Sequence, residues 1–267
     1  KRMFGEDFVW GVASSAYQVE GTDAADGRGA CVWDMFAADG RVFEHQNADT
    51  SCDHMHHYKE DIALMRHLGI RAYRFSLNWA RILPEGTGRV NEKAIAMYRD
   101  MILTMKENGI TPYLTLFHWE FPQALYERGG WQNPDVVQWF GEYAKVVAEN
   151  FSDICEYFIT INEPQCVVGL GHLSGAHAPG VKLPVAQTFL VAHHLLMAHG
   201  QAVINLRKYA VRPVKIGFAP TGGVAYPYTD RPEDIEAAKK VYFGFYNPID
   251  NWTWNVAWFS DPVFLGH

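Results

Sequence analysis

The sequence lacks most of the marks that set a chain apart from ordinary globular proteins. No apolar run approaches the ~20 residues of a membrane-spanning helix, and none near the start has the length of a signal-peptide core. A membrane is therefore excluded as a partner. Positive charge is scarce: 23 Lys and Arg against 30 Asp and Glu give a formal net charge of −7, with no basic run, which argues against nucleic acid. Four cysteines, Cys31, Cys52, Cys155 and Cys166, lie far apart without a C-x-x-C pair, so neither a zinc site nor a disulfide framework is indicated. Reduced thiols fit a cytoplasmic protein, and on that reading the sequons at Asn150 and Asn251 are chance. Gly169-Leu-Gly-His-Leu-Ser-Gly175 misses the dinucleotide-binding spacing, and no cofactor is expected. No Pro/Gly/Ser linker or charge block divides the chain, so residues 1–267 read as one domain.

What is present is an alternation of short apolar runs and amphipathic stretches. Strand-like runs fall at 8–12, 72–77, 113–117, 157–161 and 215–219. Between the first two, Met55, Tyr58, Ile62, Met65 and Leu68 recur every three or four residues; Thr50 and Asp53 offer a capping box before them and Gly69 a stop after them. A second helix runs from a cap at Asn91 through Ile95, Tyr98, Ile102 and Met105 to Gly109. A third opens at Asn133-Pro134 and carries Val137, Phe140, Ala144 and Val147, and a less regular fourth spans 184–209. Helices of this length between short buried strands imply parallel pairing through right-handed crossovers, and hence an α/β fold of about five βα units.

Each of the first four runs passes into polar and aromatic residues: Ser14, Ser15 and Gln18; Arg74, Asn78 and Trp79; His118, Trp119 and Glu120; Asn162 and Glu163. In a parallel α/β fold the carboxyl ends of the strands share one crevice, so repetition at that position marks a site. Gln, His and Asn are donor–acceptors suited to vicinal hydroxyls, and Trp offers an apolar face to a sugar ring. The His54, His56 and His57 cluster reads instead as a solvated helix start, as do His193, His194 and His199, and no metal site is expected. Trp252, Trp254 and Trp258 fit either a core or a stacking surface beside the site.

These residues also carry a resemblance. Phe8-Val-Trp-Gly-Val-Ala-Ser-Ser-Ala-Tyr-Gln-Val-Glu-Gly21, Tyr73-Arg-Phe-Ser76, His118-Trp-Glu-Phe-Pro122, Gly129-Gly-Trp131, Thr160-Ile-Asn-Glu-Pro164 and Asp261-Pro-Val-Phe-Leu-Gly-His267 resemble, in order, the family 1 glycoside hydrolases, the β-glucosidase-like enzymes. The resemblance implies a (β/α)8 TIM barrel, retaining hydrolysis of a β-glycoside or oligosaccharide, and no cofactor. It implies Glu163 as general acid/base, Gln18, His118 and Asn162 as ligands of sugar hydroxyls, Trp119 in the same subsite, and Arg74 as the residue that orients the nucleophile. Glu120 stands where the family usually has Asp, a position that reads as structural.

A retaining mechanism needs two carboxyls about 5 to 5.5 Å apart. The family's second one, in a Thr-Glu-Asn-Gly motif, is missing: after Glu163 the only glutamates are Glu233 and Glu236, at a helix start where acids suit the dipole. At five units in 267 residues, eight would need roughly 430. The expectation is an incomplete barrel without units 6 to 8. Its nucleophile would come from a complementary carboxyl-terminal chain, or its open edges would self-associate. The alternative is a sugar-binding or scaffold half-barrel without turnover.

Overall fold

The computed structural model describes residues 4–5, 7–22, 26–243 and 252–266. Five strands, β1 (Gly11–Ala13), β2 (Ala72–Ser76), β3 (Thr111–Phe117), β4 (Tyr157–Asn162) and β5 (Lys215–Ala219), form one parallel sheet in chain order. The helices are α1 (Ala16–Val19), α2 (Val32–Ala38), α3 (His54–His67), α4 (Trp79–Ile82), α5 (Glu92–Glu107), α6 (Gln123–Tyr126), α7 (Val136–Phe151), α8 (Pro164–Cys166), α9 (Val185–Tyr209), α10 (Pro232–Phe243) and α11 (Ala257–Phe264). These are the five βα units that the periodicity implied, arranged as in the (β/α)8 barrel that the resemblance implied but carried through five units.

Alternation along the strands separates two faces. Tyr73, Phe75, Leu114, Leu116 and Phe158 are buried in the main core, whereas Arg74, Tyr113, Tyr157 and Ile159 are half-buried on the other face. The register pairs Arg74 with Tyr113, Tyr113 with Tyr157, and Tyr157 with Lys215. Accordingly the two tyrosine rings stack at 4.5 Å and the Lys215 ammonium lies 4.9 Å from the Tyr157 ring.

The helix ends show which sequence signals hold. At Gly69 and Gly109 the chain turns left-handed (φ 76° and 72°), and both close the double bond of a Schellman stop: Gly69 to Arg66 and Ile70 to Met65, Gly109 to Lys106 and Ile110 to Met105. The starts differ from expectation. Asp53 sits in the left-handed region and its carboxylate bonds His56 rather than capping α3. Asn91 occupies the cap position of α5, but its amide donates to the Asp26 carbonyl. Asn133-Pro134 forms a turn, and α7 begins only at Val136. The first strand is three residues long; the Trp10 carbonyl before it still accepts from the Arg71 and Ala72 N–H groups, while the Phe8 and Trp10 rings cluster with Phe4 and remain 41% and 55% exposed.

Three histidines read as solvated are in fact buried and bonded: His54 to Asp61, His194 to the Trp131 carbonyl and His199 to the Thr160 hydroxyl. Each lies on the inward face of its helix: His194 and His199 satisfy polar groups the core would otherwise orphan, whereas the partner of His54, Asp61, is partly exposed and, among the described residues, His54 Nε2 is buried without a partner. Trp252 is core, stacked 4.4 Å from Phe189. Asn150 spends its amide on the Val146 carbonyl, and Asn251 lies outside the described residues. Helices α7 and α9 pack together where Gly141 leaves room for Gln201, and Asn205 donates to the Gly141 carbonyl at 2.7 Å.

The Trp79 ring anchors an aromatic cluster of the core. Trp79 is fully buried, parallel to Tyr143 at 5.1 Å and within 5.4 Å of Phe121 and Phe140, and its indole N–H reaches the Gly86 carbonyl at 2.9 Å. Trp79→Ala is expected to lower stability by about 3–5 kcal/mol, read from the urea midpoint, with Trp79→Phe recovering part of the loss.

Candidate active site

Parallel pairing places the carboxyl ends of all five strands on one rim, and the rim is cross-linked by polar bonds. From β1, the Ser14 hydroxyl bonds the Tyr73 hydroxyl, and the Ala16 N–H donates to Ser76 Oγ at 2.7 Å. These bonds set α1, which carries Tyr17 and Gln18. From β2, Arg74 Nη2 donates to Asn162 Oδ1 at 2.6 Å and Nε to Thr115 Oγ1 at 2.9 Å. From β3, the Trp119 indole N–H donates to the Asn162 carbonyl at 3.0 Å. Asn162 is thus held through side chain and backbone together, and is 3% exposed.

Two residues on the rim sit in the left-handed region without being glycine: Trp119 at φ 82° and Glu163 at φ 43°. Such backbone costs of order 1–3 kcal/mol and persists where surrounding bonds impose it. At Glu163 the N–H donates to the Ala219 carbonyl of β5 at 2.7 Å, and its own carbonyl accepts from the Cys166 N–H at 2.9 Å. The turn breaks the alternation of β4, so that consecutive residues Asn162 and Glu163 both belong to the rim.

Gln18, His118 and Trp119 line a cavity of about 520 Å³, within the usual range of small-molecule sites. One wall is a run of rings in contact: Tyr17 to Trp33 at 5.8 Å, Trp33 to His177 at 5.4 Å, His177 to Trp119 at 5.6 Å and Trp119 to His118 at 5.0 Å. Among the described residues no Lys, Arg, Asp or Glu lines this cavity. Burial, aided by the Arg74 charge, lowers the His118 pKa to about 4, and burial lowers that of His177. Both imidazoles are therefore neutral near pH 7, suited to hydroxyls and not to anions. Burial also lowers the Arg74 pKa, with the Glu163 carboxylate opposing the shift. Among the described residues no carboxylate lies within ion-pair distance of Arg74, so its guanidinium is spent on Thr115 and Asn162.

All six sequence-selected residues thus lie on the one rim. Gln18, His118 and Trp119 share the cavity, while Arg74, Asn162 and Glu163 form the adjoining group. Sequence reasoning missed Trp33, His177 and Cys166, which sit in loops and short helices with no periodicity to flag them. Among the described residues His177 Nδ1 is buried without a partner.

Glu120 is structural, as its position suggested, and in a telling way. It is 1% exposed, Oε1 accepts the Tyr17 N–H at 2.9 Å, and among the described residues Oε2 has no hydrogen-bond partner. Burial raises its pKa to about 8, with Glu20 adding to the shift. The folded protein therefore keeps a proton that the unfolded chain releases near 4.5, and stability falls as pH rises through that interval. Replacing Glu120 with Gln removes the titrating group. Thermal unfolding from pH 5 to 9 should show the wild type losing roughly 1.4 kcal/mol per pH unit relative to Glu120→Gln, levelling off above the folded pKa.

Comparison with known proteins accords with this arrangement. The model of glycosyl hydrolase family 1 matches residues 1–267. β-Glucosidase A of Thermotoga maritima is 44% identical over 254 residues, which cover 93% of this chain and 56% of that protein. β-Glucosidase A of Acetivibrio thermocellus is 41% identical over 267 residues, covering 100% and 57%. The solved structure of the family 1 β-glucosidase of T. maritima superposes with a TM-score of 0.87 at 42% identity, over 99% of this chain and 57% of that one. The chain therefore spans little more than half the length of these relatives. Matched along its whole length in sequence and in fold, it belongs to glycosyl hydrolase family 1.

Proposed function

We propose that this chain supplies the acid/base half of a retaining β-glycosidase of the β-glucosidase type. The observation that carries the reading is the left-handed turn at Glu163, which adds a carboxyl to the rim beside Asn162, Arg74 and the cavity of Gln18, His118 and Trp119. Relatives give it context: the T. maritima enzyme has been solved in complex with deoxynojirimycin.

In the first step a second carboxylate attacks the anomeric carbon as the glycosidic C–O bond breaks, and the departing oxygen takes the proton of Glu163. In the second, the Glu163 carboxylate takes a proton from water as the water oxygen attacks the glycosyl–enzyme, releasing the sugar and freeing the partner carboxylate. Gln18, neutral His118 and Asn162 bind sugar hydroxyls, Trp119 stacks on the ring, and Arg74 orients the second carboxylate. Among the described residues Glu233 and Glu236 are exposed on α10 and are not candidates for it. In this reading it belongs to the remaining portion of the barrel, supplied in the same chain or by a complementary one and seated between β1 and β5. Without that portion the two strands are open edges, which favour self-association.

The test is an aryl β-glucoside assay of the chain alone and after mixing with the carboxyl-terminal remainder of the T. maritima enzyme. The chain alone is expected to be inactive. Mixing restores turnover, and Glu163→Gln in the mixture lowers it about 10²–10⁴-fold. Turnover by the chain alone would refute the missing-nucleophile reading, and sugar binding without turnover in either form would favour a sugar-binding scaffold. Sizing of the isolated chain is expected to show oligomers; a monodisperse, cooperatively melting monomer would rule out open edges as a driving force.

A further inference from the structure

Among the described residues the carboxylate of Glu163 has a single protein donor. Cys166 Sγ lies 3.4 Å from Oε2, and among the described residues no donor reaches Oε1. The thiol is not an incidental neighbour. Cys166 is the last residue of α8, one turn beyond Glu163, its N–H closes that turn on the Glu163 carbonyl, and its side chain is 7% exposed against the rim.

Its protonation state is settled by the same surroundings. Burial, reinforced by the adjacent Glu163 carboxylate, raises the Cys166 pKa to about 12. The thiol keeps its hydrogen through the neutral range and acts as a donor. It is not a nucleophile.

We infer that Cys166 is a positioning residue: its S–H fixes one oxygen of Glu163 and leaves the other free to face the glycosidic oxygen. The choice of donor has a physical reason. An acid/base must carry a proton at the working pH and then release it, whereas a strong donor to a carboxylate stabilises the anion and leaves the group ionised when the proton is needed. A thiol is a weak donor, so it gives orientation with little acidification. An ammonium, guanidinium or hydroxyl at the same place would hold the carboxyl as firmly but strip it of its proton too readily. The inference rests on Glu163 being the acid/base, but the contact can be tested without turnover.

The experiment follows the Glu163 carboxyl resonance against pH by carbon-13 NMR of the full chain, assigned with Glu163→Gln. Wild type, Cys166→Ser and Cys166→Ala are compared. Serine and alanine both shrink the side chain, so a packing role would affect them alike. A donor role orders the midpoints instead: Cys166→Ser lowest, wild type between, Cys166→Ala highest. Midpoints that coincide, or that shift equally in both variants, overturn the inference. Infrared difference spectra supply a second reading: the S–H stretching band assigned by Cys166→Ser should shift in Glu163→Gln, and a band unmoved would also overturn it. Because neither measurement needs glycoside cleavage, a shifted midpoint in a chain that never gains activity would count against the proposed function alone.

Discussion

Parallel pairing in chain order is the constraint on which the rest depends. Every strand runs in the same direction, every return path is helical, and so every strand ends on the same rim. Residues 60 to 103 positions apart become neighbours without any loop having to reach for them. The Ala16 N–H finds Ser76, the Tyr17 N–H finds Glu120, and Arg74 finds Asn162. The polar bonds of the rim adjust and fix what the sheet has already collected.

Behind the rim, a second polar group fastens the first long loop. Arg81 and Glu20 are almost fully buried and ion-paired at 3.2 Å, Glu20 accepts from the Tyr98 hydroxyl at 2.7 Å, and Arg81 also reaches the Gly21 carbonyl and Asp26. Such a group adds little over an apolar replacement, but loss of one member leaves a buried charge unpaired. It therefore acts as a specifier of geometry. Glu20 follows α1, so this anchor and the Tyr17–Glu120 bond hold the helix carrying Gln18 from both ends.

The sequence was legible where physics is local or repeated. Strand positions, the Gly69 and Gly109 stops and the rim residues at strand ends all follow from periodicity and from the grouping of polar side chains. Helix starts were less legible, because a capping side chain is easily captured by a tertiary partner, as Asn91 is by the Asp26 carbonyl. The buried histidines were misread for a related reason: residue type does not say which face of α9 will meet β4, so His199 looked solvated until the Thr160 hydroxyl appeared beside it. Trp33 on α2 and His177 in a loop come from separate segments whose meeting is decided by the whole fold. The departure at Glu120 was visible in sequence, but its orphaned oxygen belongs to packing and was not.

The left-handed turn at Glu163 sets chain stability and chemical role against each other. For the backbone alone glycine would relax that position, since it has no Cβ to meet the following carbonyl. Yet glycine carries no proton. Random substitution filtered only for folding will thus tend to erase the acid, while a lineage that keeps glutamate at this turn records continued selection for what the side chain does. Under the proposed acid/base role, residue 163 is in that sense a historical marker: its identity reports whether a chain of this kind still answers to catalysis or only to the demands of staying folded.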